Sequence, residues 1–231
     1  FARRGYAAHY VPHGVQWHLF RTAVDRCLPE PEDLKSIPEP RLGFYGFLSD
    51  EWVDYGLLRR MAVERPDWHI VLIGRPKAGM DMDSHAPEPN IHWLGLKPFE
   101  ELPAYTRHFQ VGLVPFCVNS LTRHSNPLKL LEYLSGGLPV VTTDIPEVHT
   151  YEGLVHIASS REEFIAACEE ALSEGDPAGR DVRSRATQQH SWEARVARVA
   201  SVIYGGRNTA PAYTNVAGRV IEPAQWSSVI E

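Results

Sequence analysis

Six short apolar runs, at Arg41–Gly46, His69–Gly74, Asn90–Leu94, Val111–Pro115, Pro139–Thr142 and Val155–Ala158, recur along the chain, and segments with helical spacing lie between most of them. Strand alternating with helix predicts a parallel sheet, because parallel neighbours need a crossover long enough to hold a helix. Runs such as IVLIG (Ile70–Gly74) and VGLVP (Val111–Pro115) are apolar almost throughout, the pattern of strands covered by helices on both faces. The expected fold class is therefore α/β, a doubly wound parallel sheet. No internal repeat is visible, which sets aside solenoids and propellers.

The helices follow from periodicity and end signals. Leu57, Leu58, Met61 and Ala62 form an apolar stripe that Arg65-Pro66 ends. Ser160-Arg161-Glu162-Glu163 reads as a capping box for a helix burying Phe164, Ile165, Cys168 and Leu172. Asp176-Pro177 reads as an N-cap followed by proline at the first helical position. Trp192, Val196, Val199 and Ile203 mark a last helix, stopped at Gly205-Gly206. Phe20 to Pro40, rich in Pro and charge and without a period, reads as a linker or an excursion between domains. The loop Arg75–Pro89 follows a strand's carboxyl end, where open α/β sheets bind ligands. These features divide the chain into residues 1–40 as a hinge and remnant of a preceding domain, 41–205 as the α/β domain, and 206–231 as a tail packed loosely or on a partner domain.

Composition narrows the function. The 231 residues are 43% hydrophobic and 23% charged, as in an ordinary globular protein. Folding a chain of this size removes roughly 27,000 Å² from water, so a core needs no disulfide or metal staple. A formal net charge of −6 argues against a nucleic-acid partner. Cys27, Cys117 and Cys168, odd in number and far apart in apolar neighbourhoods, read as small core residues in a reducing compartment. No apolar run approaches the length of a membrane span, and no signal-peptide pattern opens the chain. The first residue is Phe1, which leads us to expect further sequence upstream.

The segment Asn119–Pro146 carries the chemistry. Ser125 and Asn126 are good N-caps and Pro127 suits a first helical turn, so the chain is expected to pass from a polar loop into a helix whose N-terminus faces the ligand edge. Exposed N–H groups and the positive dipole end make such a terminus an anion site. At 100° per residue, Pro127, Leu130, Leu131 and Leu134 share one face, while Lys129, Glu132 and Gly136 share the opposite one. A cation near phosphates and a carboxylate one turn deeper suit the diphosphate and ribose of a nucleotide. The plainer reading is a solvated i, i+3 ion pair.

The wording NPLKLLEYLSGGLPVV, with GFYGFLSDEWVDYGLL (Gly43–Leu58), RPDWHIVLIGR (Arg65–Arg75), NIHWLG (Asn90–Gly95) and VPHGV (Val11–Val15), resembles the C-terminal half of retaining GT-B glycosyltransferases that use nucleotide-diphosphate sugars. The resemblance runs from Tyr10 to about Tyr204. It implies a Rossmann-like donor-binding domain, a missing acceptor domain or partner chain that precedes it, hexosyl transfer with retention, and no cofactor or metal. It also implies a cytoplasmic location, with peripheral contact to the membrane's cytoplasmic face made through the acceptor domain.

Residue by residue, the resemblance implies that Glu132 holds the ribose hydroxyls and that Lys129, Asn126 and the backbone of Ser125, Pro127 and Leu128 lie near the diphosphate. Gly46 is where backbone approaches phosphate. The loops at Gly74-Arg75 and Gly95-Leu96 hold the base. Two departures stand out: His124 replaces the first of two glutamates that many members carry, and the loop after the first strand is acidic where many carry Arg and Lys. Phosphate charge then falls to Arg123 and Lys129, which would stabilise the leaving diphosphate. The departures motivate a second reading, a non-catalytic nucleotide- or sugar-phosphate-binding or regulatory module; a nucleotide-sugar epimerase of similar build ranks last.

Other residues carry less. His13 is a candidate for the interdomain cleft, with a surface group as the plainer reading. The eleven histidines show no metal-ligand spacing. Asp81 and Asp83 read as solvated loop carboxylates before a cation pair. Trp52, Trp68, Trp93 and Trp192 read as packing residues before sugar platforms.

Overall fold

Each apolar run forms a parallel strand in the computed structural model, which describes residues 9–174 and 177–204. The strands are β1 (Arg41–Tyr45), β2 (His69–Ile73), β3 (Ile91–Trp93), β4 (Val111–Val114), β5 (Val140–Thr143) and β6 (His156–Ala158). They make one six-stranded sheet in the order β3-β2-β1-β4-β5-β6. Leu42 pairs with Ile70 on one side and Val111 on the other, so β1 and β4 are central. Every residue of these two strands is buried, Arg41 at the start of β1 included, as strands covered on both faces require. The chain winds outward from β1 to β3 and then returns to the far side of β1. That reversal places a crevice at the carboxyl ends of β1 and β4.

Among the described residues there are eight helices: α1 (Trp17–Asp25), α2 (Tyr55–Glu64), α3 (Met82–His85), α4 (Leu102–His108), α5 (Leu128–Ser135), α6 (Arg161–Ser173), α7 (Pro177–Ala186) and α8 (Trp192–Tyr204). The expected stripe of α2 is buried, and Asp54 caps its first turn by accepting from Leu57 N–H at 2.9 Å. Arg161 donates to the same carboxylate at 2.8 Å, tying the starts of α2 and α6 together. Ser160 caps α6 through Glu163 N–H at 3.1 Å, but the return arm of the box accepts from Ser159 N–H instead of Ser160 N–H. Phe164, Ile165 and Cys168 are buried as expected, while Leu172 is partly buried.

Several expectations are corrected. Phe20 to Pro40 is no linker: α1 buries Trp17, Phe20 and Ala23, and Leu34 and Ile37 are buried further along. The Phe20 ring lies 6.3 Å from Tyr45 and 5.6 Å from Phe99, edge-on to the latter, so this segment closes the core behind β1. The apolar face of α8 is exposed, at 47% for Trp192, 64% for Val196 and 65% for Ile203, and its buried residue is Arg195. Trp93 is 47% exposed, and Cys27 is exposed while Cys168 is buried. The Asp176 cap, the Gly205-Gly206 stop and the tail 206–231 lie outside the described residues. Among the described residues no helix is long and apolar enough to cross a membrane.

Candidate functional site

The crevice floor is main chain. After β1 the chain turns at Gly46, whose N–H donates to Ile73 O at 2.9 Å; after β2 it turns at Gly74, whose N–H donates to Gly95 O at 2.9 Å. Gly74 has φ of +146°, and a Cβ there would lie 1.8 Å from Gly46 O. Only glycine permits that approach. The two turns are joined further by Leu48 N–H to Arg75 O at 3.1 Å and Lys77 N–H to Leu48 O at 2.7 Å. Arg75 and Leu96 are exposed at the rim, and Gly95, at φ +72°, faces open space.

The acidic loop after β1 has structural employment. Asp54 is the cap already described, and Glu51 pairs with Lys77. Asp81 likewise serves its own turn: its carboxylate accepts from Asp83 N–H at the start of α3 and from the Ser84 hydroxyl.

The loop from β4 to α5 is pinned by Asn119, whose Oδ1 accepts from Leu121 N–H at 2.8 Å and Thr122 N–H at 3.0 Å and whose Nδ2 donates to Glu51 O at 2.7 Å. The expected caps are not caps. Ser125 Oγ donates to Thr122 O at 2.9 Å, Asn126 Nδ2 donates to Glu147 at 2.7 Å, and the residue at the N-cap of α5 is Pro127. A local carbonyl has taken the first side chain and a distant carboxylate the second. The first turn of α5, beginning at Leu128, therefore has no side-chain cap; Leu130 N–H donates to Pro127 O at 3.0 Å, and the Leu128 and Lys129 N–H groups keep their capacity for an anion.

Lys129 and Glu132 point the same way, as the wheel predicted, but the face they share is not solvated. Glu132 is 1% exposed, and Lys129 Nζ donates to its Oε2 at 3.1 Å with the lysine side chain 27% exposed. Burial sets aside a surface ion pair. It also pushes the Glu132 carboxyl above its usual range, against the pull of the Lys129 ammonium. That ammonium lies 5.3 Å from the ring centre of Tyr45. Tyr45 packs 4.5 Å from Tyr133, whose hydroxyl accepts from Tyr45 N–H at 2.8 Å, so the wall under the pair is rigidly built. A Cβ on Gly46 would lie 3.8 Å from Lys129 Cε, which brings the glycine turn and the lysine to one place.

Arg123 is exposed and lines a neighbouring cleft of about 400 Å³ with Val118, Asp144, Pro146 and His149; Lys129 is not in that lining. Asp144 is held by His149 Nε2 at 2.7 Å and by the Ser159 hydroxyl at 3.1 Å. His124 is exposed, with Nδ1 2.9 Å from Ser120 O. His13 is exposed, and its carbonyl accepts from Arg195 at 3.2 Å. Among the described residues no group of three or more His, Cys, Asp or Glu side chains is arranged to hold a metal ion.

One residue escaped the sequence reading. Glu147, at the start of the turn after β5, is 9% exposed and accepts from Asn126 and from the Tyr10 hydroxyl at 2.8 Å. Burial raises its carboxyl above the usual range. Nothing local marks it, since its partners lie 21 and 137 residues away.

The chain is 27% identical over 194 residues to TuaH of Bacillus subtilis (strain 168), a candidate glycosyltransferase of teichuronic acid biosynthesis, covering 80% of this chain and 47% of that protein. Among solved structures it is similar to sucrose-phosphate synthase (tll1590) from Thermosynechococcus elongatus, with a TM-score of 0.64 and 18% identity over 85% of this chain and 52% of that one. Anabaena Alr3699/HepE, solved in complex with UDP and glucose, gives a TM-score of 0.65 and 13% identity over 88% of this chain and 59% of that one. These likenesses show the fold, one Rossmann-like half of a GT-B architecture. The chain spans about half the length of the relatives it matches. The family described as glycosyl transferases group 1 matches residues 39–174, which take in the glycine turns, the β4–α5 loop, Lys129 and Glu132. With that stretch covering more than half of its length, the chain belongs to the glycosyl transferases group 1 family.

Proposed function

We propose that this chain is the donor-binding half of a hexosyltransferase, taking a nucleotide-diphosphate sugar, uridine- or guanosine-based, across the carboxyl edge of its sheet. The observation that carries this reading is the buried Glu132 under Lys129, beside the Gly46 turn and the uncapped start of α5. Ribose hydroxyls would donate to Glu132, and the base would sit against the Gly74-Arg75 and Gly95-Leu96 loops. The diphosphate would draw the Lys129 ammonium off the carboxylate. Leu128 and Lys129 N–H groups, Lys129 and Arg123 would then meet the charge that develops as the bond from the anomeric carbon to the diphosphate breaks. The UDP bound to HepE favours uridine as the base to try first.

The sugar would project toward an acceptor domain, which the remaining half of the longer relatives or a partner chain would supply, with transfer proceeding with retention and without a cofactor or metal. A cytoplasmic setting, with the acceptor domain touching the membrane surface, belongs to the same reading. The acidic loop after β1 does not favour a non-catalytic module, because Asp54 and Glu51 are engaged in capping and pairing.

Calorimetric titration of uridine, guanosine and adenosine diphosphates and their sugar conjugates tests the reading on the wild type, Glu132→Ala and Lys129→Ala. One nucleotide class should bind, and each variant should weaken it by about 1.5–3 kcal/mol, roughly ten- to a hundredfold. Binding to no member of the panel, or binding indifferent to both substitutions, sinks the assignment.

A further inference from the structure

Glu147 joins two parts of the chain, the segment around Tyr10 and the loop before α5. It stands in the turn Pro146–Tyr151 that follows β5. Its Oε1 alone accepts from Asn126 Nδ2 at 2.7 Å and from Tyr10 Oη at 2.8 Å. Asn126 lies two residues before α5, in the loop that would face the diphosphate. Tyr10 lies in the segment that leads into the domain, just upstream of a point anchored on the opposite side: Val15 N–H donates to His190 O at 3.0 Å, Trp192 N–H donates to Val15 O at 3.2 Å, and Arg195 holds His13 O.

Both donors to Glu147 are neutral. A buried carboxylate satisfied by neutral donors is a costly way to hold two loops together, and an amide or a hydroxyl would bury more cheaply. What the carboxylate supplies that an amide does not is a fixed sense. It only accepts, so it turns the Asn126 amide with Nδ2 inward and Oδ1 away, and it draws the Tyr10 hydroxyl as donor.

We propose that Glu147 is a positioning residue for the donor loop, coupling the placement of the Tyr10 segment to the orientation of Asn126 and hence to nucleotide affinity. The inference rests on the donor-site reading above. Displacing Tyr10 frees one oxygen's partner, loosens Asn126 and slackens the loop before α5. Conversely, a bound diphosphate that fixes Asn126 holds Tyr10 in place, since coupling between two sites is reciprocal.

The test uses the full chain and the variants Tyr10→Phe, Glu147→Gln, Asn126→Ala and Tyr10→Phe/Asn126→Ala. Amide hydrogen exchange across residues 119–127 is followed without ligand, UDP affinity is measured by calorimetry, and Tm is recorded for each. Tyr10→Phe removes one hydroxyl from a ring that is 47% exposed, so the fold should survive it. We expect faster exchange in 119–127, UDP binding weakened by about three- to tenfold, and a double variant no weaker than Asn126→Ala alone. Glu147→Gln should move exchange and affinity in the same direction. Unchanged exchange in Tyr10→Phe overturns the coupling whatever the nucleotide does. Faster exchange with unchanged UDP affinity, or additive losses in the double variant, overturns Glu147 as a positioning residue. Faster exchange in a chain that binds no nucleotide supports the coupling and removes the donor reading instead.

Discussion

Lys129 Nζ stands 3.1 Å from Glu132 Oε2 and roofs a carboxylate that is only 1% exposed, so the cation keeps some contact with water while the anion has almost none. The asymmetry makes Glu132 a group retained at the expense of stability. Its folded-state pKa is raised, so its contribution to stability is fully present below the unfolded value and is lost as pH rises through the folded value. At neutral pH the charged form is therefore a burden. Glu132→Gln should raise stability at pH 7 by on the order of 1 kcal/mol, because Lys129 reaches water when its partner is gone. Thermal melts between pH 4 and pH 8 should show the gain shrinking toward acid. A destabilised Glu132→Gln at pH 7 contradicts this account.

Gly74 admits no side chain. A Cβ would sit 1.8 Å from Gly46 O at a φ of +146°, so Gly74→Ala must move two turns of the sheet edge. The expected loss is on the order of 3 kcal/mol, a fall in Tm of roughly 6–12 °C for a chain of this size. Gly95→Ala is the control, since its Cβ position is open and only the φ of +72° opposes it. Its fall should be the smaller of the two.

His190 predicts an acid limb in the stability profile. Its Nδ1 accepts from Arg195 at 2.7 Å and its ring meets Tyr151 edge-on at 5.4 Å; burial, then the Arg195 charge, lower its pKa to about 4. A depressed folded pKa gives stability that is present above the unfolded value, near 6.5, and is lost as pH falls through about 4. The loss amounts to on the order of 3 kcal/mol. Denaturant titrations at pH 7, 5.5 and 4 should show this slope in the wild type and a flatter one in His190→Gln, whose amide oxygen still accepts from Arg195.

Phe20 tests whether the segment before β1 belongs to the core. Its ring is fully buried between Tyr45 and Phe99. Phe20→Ala should cost about 3–5 kcal/mol. Were residues 17–40 a mere connector, the same substitution would leave Tm almost unmoved.

The strands were legible because central parallel strands are apolar on both faces, and a run such as Val111–Val114 has few other uses. The start of α6 was legible because Ser160 caps by a local bond that the sequence spells out, whereas α2 was placed by its apolar stripe and its Asp54 cap went unread among the acidic residues of the loop. Leu34 and Ile37 were not, since isolated anchors among prolines and charges leave no period to detect. Ser125 and Asn126 misled because a side chain suited to capping is equally suited to Thr122 O or to a distant carboxylate, and distance decided. Helical spacing placed Lys129 and Glu132 on one face, while the burial that turns a surface pair into a candidate ribose contact required Tyr45, brought from β1.

The meeting of Gly46 and Gly74 also sets where this protein can be redesigned. A floor built of peptide groups offers the same amides under any surrounding sequence, so it carries little that selection could adjust and nothing that survives enlargement. Adaptation to a different sugar or base must therefore be written in the rim. Arg75, Leu96, Arg123 and His124, all exposed, are the positions at which a library would explore new donors with the scaffold intact.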